Sequence, residues 1–320
     1  MFQSCVTAGP RRTTRFICPS LVCLMATLLL AAAANATEHG ASGYPVGAET
    51  VMPGLTPPSH VTVFDEFTIF YEANRMNNSS GVSSVPEFKV RVLASAVKFE
   101  HNWGIPVFGG MLNSMAVVPT FYEELHVAPG KSSKNGLGNV ILGVFAVGYQ
   151  KDSWHWFYEG DVYLPGAPYV KTDTLNIGQN NYSALPVGGF TFLPHHGEWE
   201  VSSKAQYIVN FHDTATHYRS GNELTCEYAA MRQVSRKAAL GVNGYVYQQT
   251  TNDQQNGLTV GDGNRGRDFA IGPEARFQLG AHGAFAFKYF RDTLVENKPS
   301  GNAFWFELGI PMSLRRAGGM

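Results

Sequence analysis

The stretch EWEVSSKAQYIVNF, residues 198–211, alternates between two kinds of side chain with a period of two. One side carries Trp199, Val201, Ser203, Ala205, Tyr207, Val209 and Phe211, and the other carries Glu200, Ser202, Lys204, Gln206, Ile208 and Asn210. This alternation predicts a β-strand with one apolar and one polar face. The apolar face must be covered by a second sheet, a helix or lipid.

Similar stretches continue from Val61 to the end of the chain, and none of them has the pattern of an amphipathic helix. A soluble strand typically has about 5–6 residues, whereas a tilted membrane-spanning strand needs about 9–11. Because most of these stretches reach the longer value, their length favours a membrane barrel. The twelve predicted strands are 61–73, 87–100, 105–122, 139–150, 153–164, 183–193, 198–212, 222–232, 236–249, 268–280, 283–293 and 303–314.

Three further features favour lipid as the cover. Short connections such as 280–283 alternate with long polar ones such as 73–87 and 248–268, as in outer-membrane barrels. An even number of strands suits a closed barrel. Aromatic residues near predicted strand ends suit interfacial girdles: Trp103, Trp154, Trp156, Tyr163, Trp199, Tyr245 and Tyr247. A soluble periplasmic β protein remains the alternative, because alternation alone does not distinguish the two.

The N-terminus has the three parts of a secretory signal. Arginines at 11, 12 and 15 precede an uncharged apolar run, and Ala34-Asn35-Ala36 fits the small-x-small cleavage rule. We therefore predict a signal peptide over 1–36, an irregular Gly/Pro-rich leader or plug over 37–60, a β-barrel over 61–314 and a tail over 315–320. The tail ends in SLRRAGGM, without the terminal aromatic residue common in such barrels.

Charge and cysteine content restrict the function classes. The formal net charge is −1 and no basic cluster stands out, which argues against nucleic-acid partners. Only Cys226 lies after the predicted cleavage site, so no internal disulfide is expected.

Several short segments follow one another in a characteristic order along the chain. They are HGASGYPVGAETVMPG (39–54), GLGNV (136–140), YLPGAPY (163–169), NIGQNNY (176–182), SGNELTCEYA (220–229), GVNGYVYQQTTND (241–253), GNRGRDFAIGPEARF (263–277) and KYFRDTLVENKPSGNAFWFELGIP (288–311). In these segments and their order, the chain resembles the outer-membrane transporter family named after the MetA-pathway phenol degradation protein, over essentially its whole length after the signal peptide. One departure is LPGAPY, which lacks the threonine of the usual turn.

The resemblance implies an all-β, antiparallel transmembrane β-barrel of about 12 strands in the outer membrane of a Gram-negative bacterium, exported by a cleaved signal peptide. It also implies passive passage of small hydrophobic or aromatic compounds. The expected partners are outer-membrane lipid, a small-molecule solute and the barrel-assembly machinery, and no cofactor is expected. The alternatives are a non-conducting structural or interaction barrel, and an outer-membrane enzyme acting on lipid.

Alternation also predicts which charged side chains line the lumen. They are Lys89, Arg91, Glu159, Asp161, Glu200, Lys204, Glu223, Glu227, Glu274, Arg276, Lys288 and Glu307. These charges either select solutes in a polar pore or pair with one another to fill a narrow barrel. Both roles stay open from the sequence.

The sequence gives little indication of a metal site or a catalytic site. Adjacent His195 and His196 on a strand point to opposite faces, which disfavours a shared metal ion. The segment GDGNRGRD (261–268) lacks EF-hand spacing. The candidate bases His101, His126, His155, His212 and His217 accompany no G-x-S-x-G motif, so we expect no enzyme. The Gly and Pro content of 37–60 suits a narrow path inside the lumen.

Overall fold

A computed structural model of the chain describes residues 44–280 and 283–312. The predicted signal peptide and the tail over 315–320 lie outside these residues. The elements are β1 Thr62–Met76, β2 Lys89–Val107, β3 Gly110–Val127, β4 Gly130–Leu137, β5 Val140–Lys151, β6 Trp154–Leu164, β7 Ser183–Phe192, α1 Pro194–Gly197, β8 Trp199–Asn210, β9 Tyr218–Arg219, β10 Glu223–Ser235, β11 Ala238–Gln249, β12 Gln254–Gln255, β13 Leu258–Thr259, β14 Arg267–Leu279, β15 Gly283–Glu296 and β16 Pro299–Met312.

Twelve of these strands form one closed antiparallel barrel. Its order is β1, β2, β3, β5, β6, β7, β8, β10, β11, β14, β15 and β16, and β16 pairs back onto β1. Closure leaves the wall without an edge, which a lipid-exposed sheet requires because unpaired backbone groups find no partner in hydrocarbon. The predicted twelve-stranded outer-membrane barrel is confirmed.

Strand β8 shows how alternation sets the two faces. Glu200, Lys204 and Gln206 are buried, with 2–4% of their surface exposed, whereas Trp199 and Val201 are 46% and 45% exposed. An isolated barrel in water exposes its lipid-facing side chains, so the apolar face is the outer one. The polar face of β8 therefore faces the interior, as its sequence predicts.

The outer surface carries a broad apolar belt. Monomeric soluble proteins rarely expose a continuous apolar patch larger than a few hundred Å², so this belt identifies lipid as the cover. Its members include Phe70, Leu93, Phe99, Tyr158, Val162, Leu224, Leu240, Val242, Val246, Ile271, Phe277, Phe304, Phe306 and Ile310.

The predicted aromatic girdle is only partly on this surface. Trp103, Trp154 and Trp199 are exposed on the outside, but the three tyrosines Tyr163, Tyr245 and Tyr247 are buried inside the barrel. The tyrosine interpretation was wrong because nearness to a strand end does not fix the face. Residue parity places Tyr163 in phase with the interior residue Asp161.

Connections are mostly short at one end of the barrel and mostly long at the other. The turns after β2, β5, β10 and β14 have at most four residues, whereas the connections after β1, β6, β8 and β11 are longer. The long end also holds β4, which pairs with β3, and a three-stranded sheet of β9, β12 and β13. Because long loops of these barrels are extracellular, the short end, where β1 begins, is periplasmic.

The single turn α1 contains both adjacent histidines. His195 and His196 have φ angles of 52° and 57°, so this is a tight left-handed turn rather than a regular helix. Within residues 44–280 and 283–312, no helix is long and apolar enough to cross a membrane.

The lipid-facing belt predicts the effect of a charge placed in it. Val242 lies in the middle of β11 and is 48% exposed. We expect Val242→Arg to lower the free energy of unfolding from lipid vesicles by about 2–4 kcal/mol, since a cation near the midplane loses its hydration. Ser235→Arg, at the periplasmic turn, is the matched control and should cost about 0–1 kcal/mol. Equal costs in denaturant titrations would contradict the orientation of β11.

Candidate functional site

Residues 44–60, here called the inner segment, lie inside the barrel. At its C-terminal end the His60 amide donates to the carbonyl of Asn102 on β2 at 2.9 Å. Further in, the Gly54 amide donates to the Thr191 hydroxyl on β7 at 3.0 Å. The segment thus runs from the periplasmic start of β1 up into the lumen.

Two charged wall residues hold its backbone. The Glu227 carboxylate accepts from the amide of Gly47 at 2.7 Å and from the amide of Glu49 at 2.9 Å. From β15, three strands further round the barrel, the Lys288 ammonium donates to the carbonyl of Ala48 at 2.6 Å and pairs with Glu307 at 2.9 Å. Hydrogen bonds to charged groups are stronger than neutral ones, so these contacts fix the position of residues 47–49.

The side chain of Glu49 connects two wall lysines. Its carboxylate accepts from Lys98 on β2 at 2.5 Å and also pairs with Lys204 on β8. The Lys204 ammonium lies 5.1 Å from the centre of the Tyr44 ring. Because β2 and β8 are far apart in the barrel order, Glu49 links opposite parts of the wall.

Two more carboxylates extend this network towards the periplasmic end. Glu274 accepts from the Thr50 hydroxyl at 3.2 Å and from the Asn243 amide at 2.7 Å. Glu200 accepts from the Met52 amide at 3.3 Å and pairs with Arg276 at 2.5 Å. Wall charges therefore serve as attachment points along residues 47–52.

Ten of the twelve predicted lumen residues face the interior. The alternation of their strands places them there, and those outside the network include Glu223, which accepts from the Asn210 amide at 2.9 Å. The ten are Glu159, Asp161, Glu200, Lys204, Glu223, Glu227, Glu274, Arg276, Lys288 and Glu307.

Lys89 and Arg91 do not belong to the lumen. They lie on the outer face of β2, in phase with the exposed Leu93, and both pair with Glu72 on β1 at 3.0 and 2.9 Å. The prediction was wrong because charge was taken as a sign of an inward position. Near the extracellular end of a strand, an outward charge reaches water and ion-pairs there.

Ion pairs inside the barrel do not simply follow the pairing of neighbouring strands. The backbone register places Lys204 opposite Glu227, but the Lys204 ammonium bonds to Glu49. Glu274 lies opposite Lys288, whereas Arg276 faces Ala286 and bonds to Glu200 across the lumen. Contacts across the lumen do not follow from neighbouring strands alone.

Sequence reasoning missed several interior groups. Lys98 shares a parity with the buried Ala94 on β2, which would have identified it. Asp268 and Asp292 share a parity with Glu274 and Lys288, and both accept hydrogen bonds from the Tyr245 hydroxyl, at 3.1 and 2.8 Å. Glu49 carries no strand pattern, so only the fold reveals its role.

A cavity of about 40 Å³ separates the inner segment from the wall. Phe67, Met115 and Ile141 line one part of it, and Asp161 and Gln206 line another. Within residues 44–280 and 283–312, His, Cys, Asp and Glu side chains form no group of three able to hold a metal ion. The interior therefore holds the inner segment in place and leaves only a small cavity beside it.

The Glu227 contacts predict a stability effect. Glu227→Gln removes the charge that two backbone amides share, so we expect the free energy of unfolding to fall by about 1–3 kcal/mol. Glu296→Gln, which breaks a partly exposed ion pair with Arg267, is the control and should change it by about 1 kcal/mol or less. Denaturant titration of the refolded protein measures both, and a Glu227 effect no larger than the control would contradict the anchoring role.

Among solved structures, one similar fold agrees with this architecture, and two further matches are weaker. An outer-membrane channel from Pseudomonas putida has a TM-score of 0.70 at 14% identity, over 80% of this chain and 97% of that one. The β domain of the Bordetella autotransporter BrkA gives 0.43 at 10% identity, over 80% of this chain and all of that one. The CymD monoaromatic hydrocarbon channel gives 0.40 at 9% identity, covering 82% and 90%.

A search of curated proteins found no match. A family model described as "Putative MetA-pathway of phenol degradation" matches residues 73–308, most of the chain. This match confirms the resemblance seen in the ordered sequence segments. The chain therefore belongs to the family of the MetA-pathway phenol degradation proteins.

Proposed function

We propose that the protein is an outer-membrane channel through which small hydrophobic or aromatic compounds pass without an energy source. The observation that carries this proposal is the closed barrel whose lumen is occupied by a segment held through discrete charged contacts. A lumen filled by wall side chains alone would need no separate segment inside it. Family membership supports the same reading, and the sequence holds no G-x-x-x-x-G-K-[ST] loop for nucleotide-driven transport.

The inner segment acts as a plug in this proposal. Gly47 supports this interpretation, because its φ of 98° and its close approach to Phe290 exclude a side chain there. The chain is thus shaped to fit the lumen at that point. The lumen charges then have a third role beside solute selection and mutual pairing, which is to hold the plug.

A non-conducting barrel is the competing function. It is favoured by the small cavity beside the inner segment, since a lumen filled permanently would pass nothing. An enzymatic role has less support: the sequence lacks a G-x-S-x-G motif, and the candidate base His101 bonds to the Thr62 hydroxyl at 2.9 Å. We propose that the barrel is not an enzyme, which a lipase-type assay in detergent tests.

Delivery and assembly complete the proposal. Residues 1–36 form a cleaved signal peptide, and the barrel-assembly machinery inserts the strands into the outer membrane. N-terminal sequencing of the protein extracted from outer membranes tests the cleavage site. Recovery of the protein from the soluble periplasm would contradict the proposed location.

Loosening the plug should raise conductance. In Gly47→Ala, the new Cβ would lie 2.6 Å from the Phe290 ring, which is fully buried and has little room to move. We expect single-channel conductance in planar bilayers, and uptake of a labelled monoaromatic compound into proteoliposomes, to increase severalfold. Deletion of residues 44–58 should increase both further.

Gly109→Ala is the matched control. Gly109 also has a positive φ, of 82°, but lies in the periplasmic turn after β2, where a Cβ meets no atom within 4 Å. It carries similar backbone strain without touching the plug, so conductance should stay unchanged. Absence of conductance in wild type, Gly47→Ala and the deletion alike would establish the non-conducting barrel instead.

A further inference from the structure

We propose that a groove on the outer wall of the barrel, over β15, β16 and β1, binds the phosphate-bearing headgroup of a lipid in the extracellular leaflet. The acyl chains of the same lipid pack against aromatic side chains at the end of the groove that lies towards the periplasm. The groove is outside the lumen, so this site does not depend on whether the barrel conducts.

The groove follows three neighbouring strands on the lipid-facing side of the wall. β16 lies in its centre, paired with β1 on one side and with β15 on the other. Its volume is about 550 Å³. Phe70 and Phe304 line it and also belong to the exposed apolar belt, so the groove opens towards lipid.

Along each of these strands, the groove changes from aromatic to polar towards the extracellular end. On β1, which begins at the periplasmic end, Phe70 precedes Arg75. On β15, which also begins there, Tyr289 precedes Arg291. On β16, which runs the opposite way, Phe304 follows the polar residues. A change shared by three strands marks the depth at which hydrocarbon gives way to headgroups.

The aromatic end of the groove forms one apolar surface across the three strands. The ring centres of Tyr289 and Phe304 lie 5.1 Å apart. Phe70 is the register partner of Phe304 on the neighbouring strand. Such a surface favours acyl chains, because a polar group there would lose its hydrogen bonds to water.

Two arginines form the polar end, and neighbouring side chains hold them in position. The Arg75 Nη2 atom donates to the Ser300 hydroxyl at 3.1 Å. The Arg291 Nη1 atom donates to the side-chain oxygen of Asn302 at 3.1 Å, and the Tyr289 hydroxyl donates to the same oxygen at 2.7 Å. Each guanidinium carries five N–H donors, so most of them remain available to an anion.

The charge balance of the groove favours an anion. Among the residues that the structure describes, neither Arg75 nor Arg291 forms an ion pair with a carboxylate. The carboxylate in the lining, Glu72, is already shared by Lys89 at 3.0 Å and Arg91 at 2.9 Å. The groove therefore keeps uncompensated positive charge at the depth of the headgroups, where basic pockets bind anionic lipid.

A phosphate attached to acyl chains fits both ends of the groove at once. A guanidinium presents its N–H groups in a planar fork that matches two phosphate oxygens. A free phosphate ion would contact only the arginines and leave the aromatic end uncovered. In a Gram-negative outer membrane, the lipid A part of the extracellular glycolipid carries both phosphate and acyl chains.

Native mass spectrometry of the refolded full chain in detergent tests the site. The probes are phosphorylated lipid A, lipid A from which the phosphates have been removed, and inorganic phosphate. We expect phosphorylated lipid A to bind saturably at one site per chain and the dephosphorylated form to bind about tenfold more weakly. Inorganic phosphate at the same concentration should neither bind nor displace lipid A.

Arg75→Gln and Arg291→Gln should each weaken phosphorylated lipid A about tenfold, which is the loss of about one hydrogen bond to a charged group. Both should leave the dephosphorylated form unchanged. Arg267→Gln is the matched control, because Arg267 is an exposed arginine at the extracellular end of β14 that already pairs with Glu296 at 3.2 Å. Its binding of lipid A should match wild type, and heat-modifiable gel mobility checks that each variant is folded.

The probes decide the proposal on the wild-type chain even where a variant fails to fold. Equal binding of phosphorylated and dephosphorylated lipid A would overturn the phosphate site, and so would an equal loss in Arg267→Gln. Displacement of lipid A by inorganic phosphate would overturn the lipid as the occupant and assign the groove to a free anion. Absence of saturable binding to the wild type overturns the site altogether.

Discussion

The hydrocarbon core of a membrane offers no hydrogen-bond partner to a peptide group, and the rest of this structure depends on that constraint. It requires β16 to pair back onto β1, and it sends apolar side chains outward on all twelve strands. The inward-facing half of every strand must then share a narrow lumen. Glu200, Lys204 and Glu227 are therefore buried by the same closure that exposes Val201 to lipid.

Burying so many charges creates a second problem, since a buried ion without a partner is costly. Carboxylates outnumber cations in the interior: Glu49, Glu159, Asp161, Glu200, Glu223, Glu227, Asp268, Glu274, Asp292 and Glu307 accompany Lys98, Lys204, Arg276 and Lys288. The inner segment helps to balance this excess with backbone amides rather than with cations. Its amides at 47 and 49 satisfy Glu227, so wall and segment stabilise each other.

Much of this arrangement follows from sequence and some of it does not. The sequence located all twelve barrel strands, although 105–122, 139–150 and 183–193 show no clear period of two. In β8 a period of two assigned both faces correctly, because lipid permits only one face to be polar. The prediction that Lys89 and Arg91 line the lumen was wrong. On the same strand, they share the outward face of Leu93, whereas Ala94 faces inward. The prediction that Tyr247 belongs to an interfacial girdle was also wrong, because its position along the strand does not determine which face it occupies; Tyr247 is buried.

The site was less predictable than the fold for a physical reason. Contacts across the lumen join strands that are distant in the barrel order, such as Arg276 on β14 with Glu200 on β8. These contacts depend on the stagger between the strands around the barrel and on the length of each side chain. The alternation of residues along one strand determines neither. The contribution of Glu49 depends on a segment without secondary structure, so no periodic signal marks it.

A filled lumen and a passive channel are compatible once the contacts are weighed. The inner segment is held by at least eight polar contacts with the wall, and seven of them involve a charged group. Hydrogen bonds to charged groups contribute about 1.5–3 kcal/mol each. Complete withdrawal therefore costs on the order of 10 kcal/mol, and every 1.4 kcal/mol lowers the open population about tenfold. A barrel that opens rarely keeps water and ions out of the lumen for most of the time.

A solute that forms contacts with the vacated wall lowers the cost of opening, since a ligand shifts an equilibrium by its preference for one state. Selectivity then depends on the contacts that a solute forms with the wall after the inner segment has left it, rather than on the width of a permanent pore.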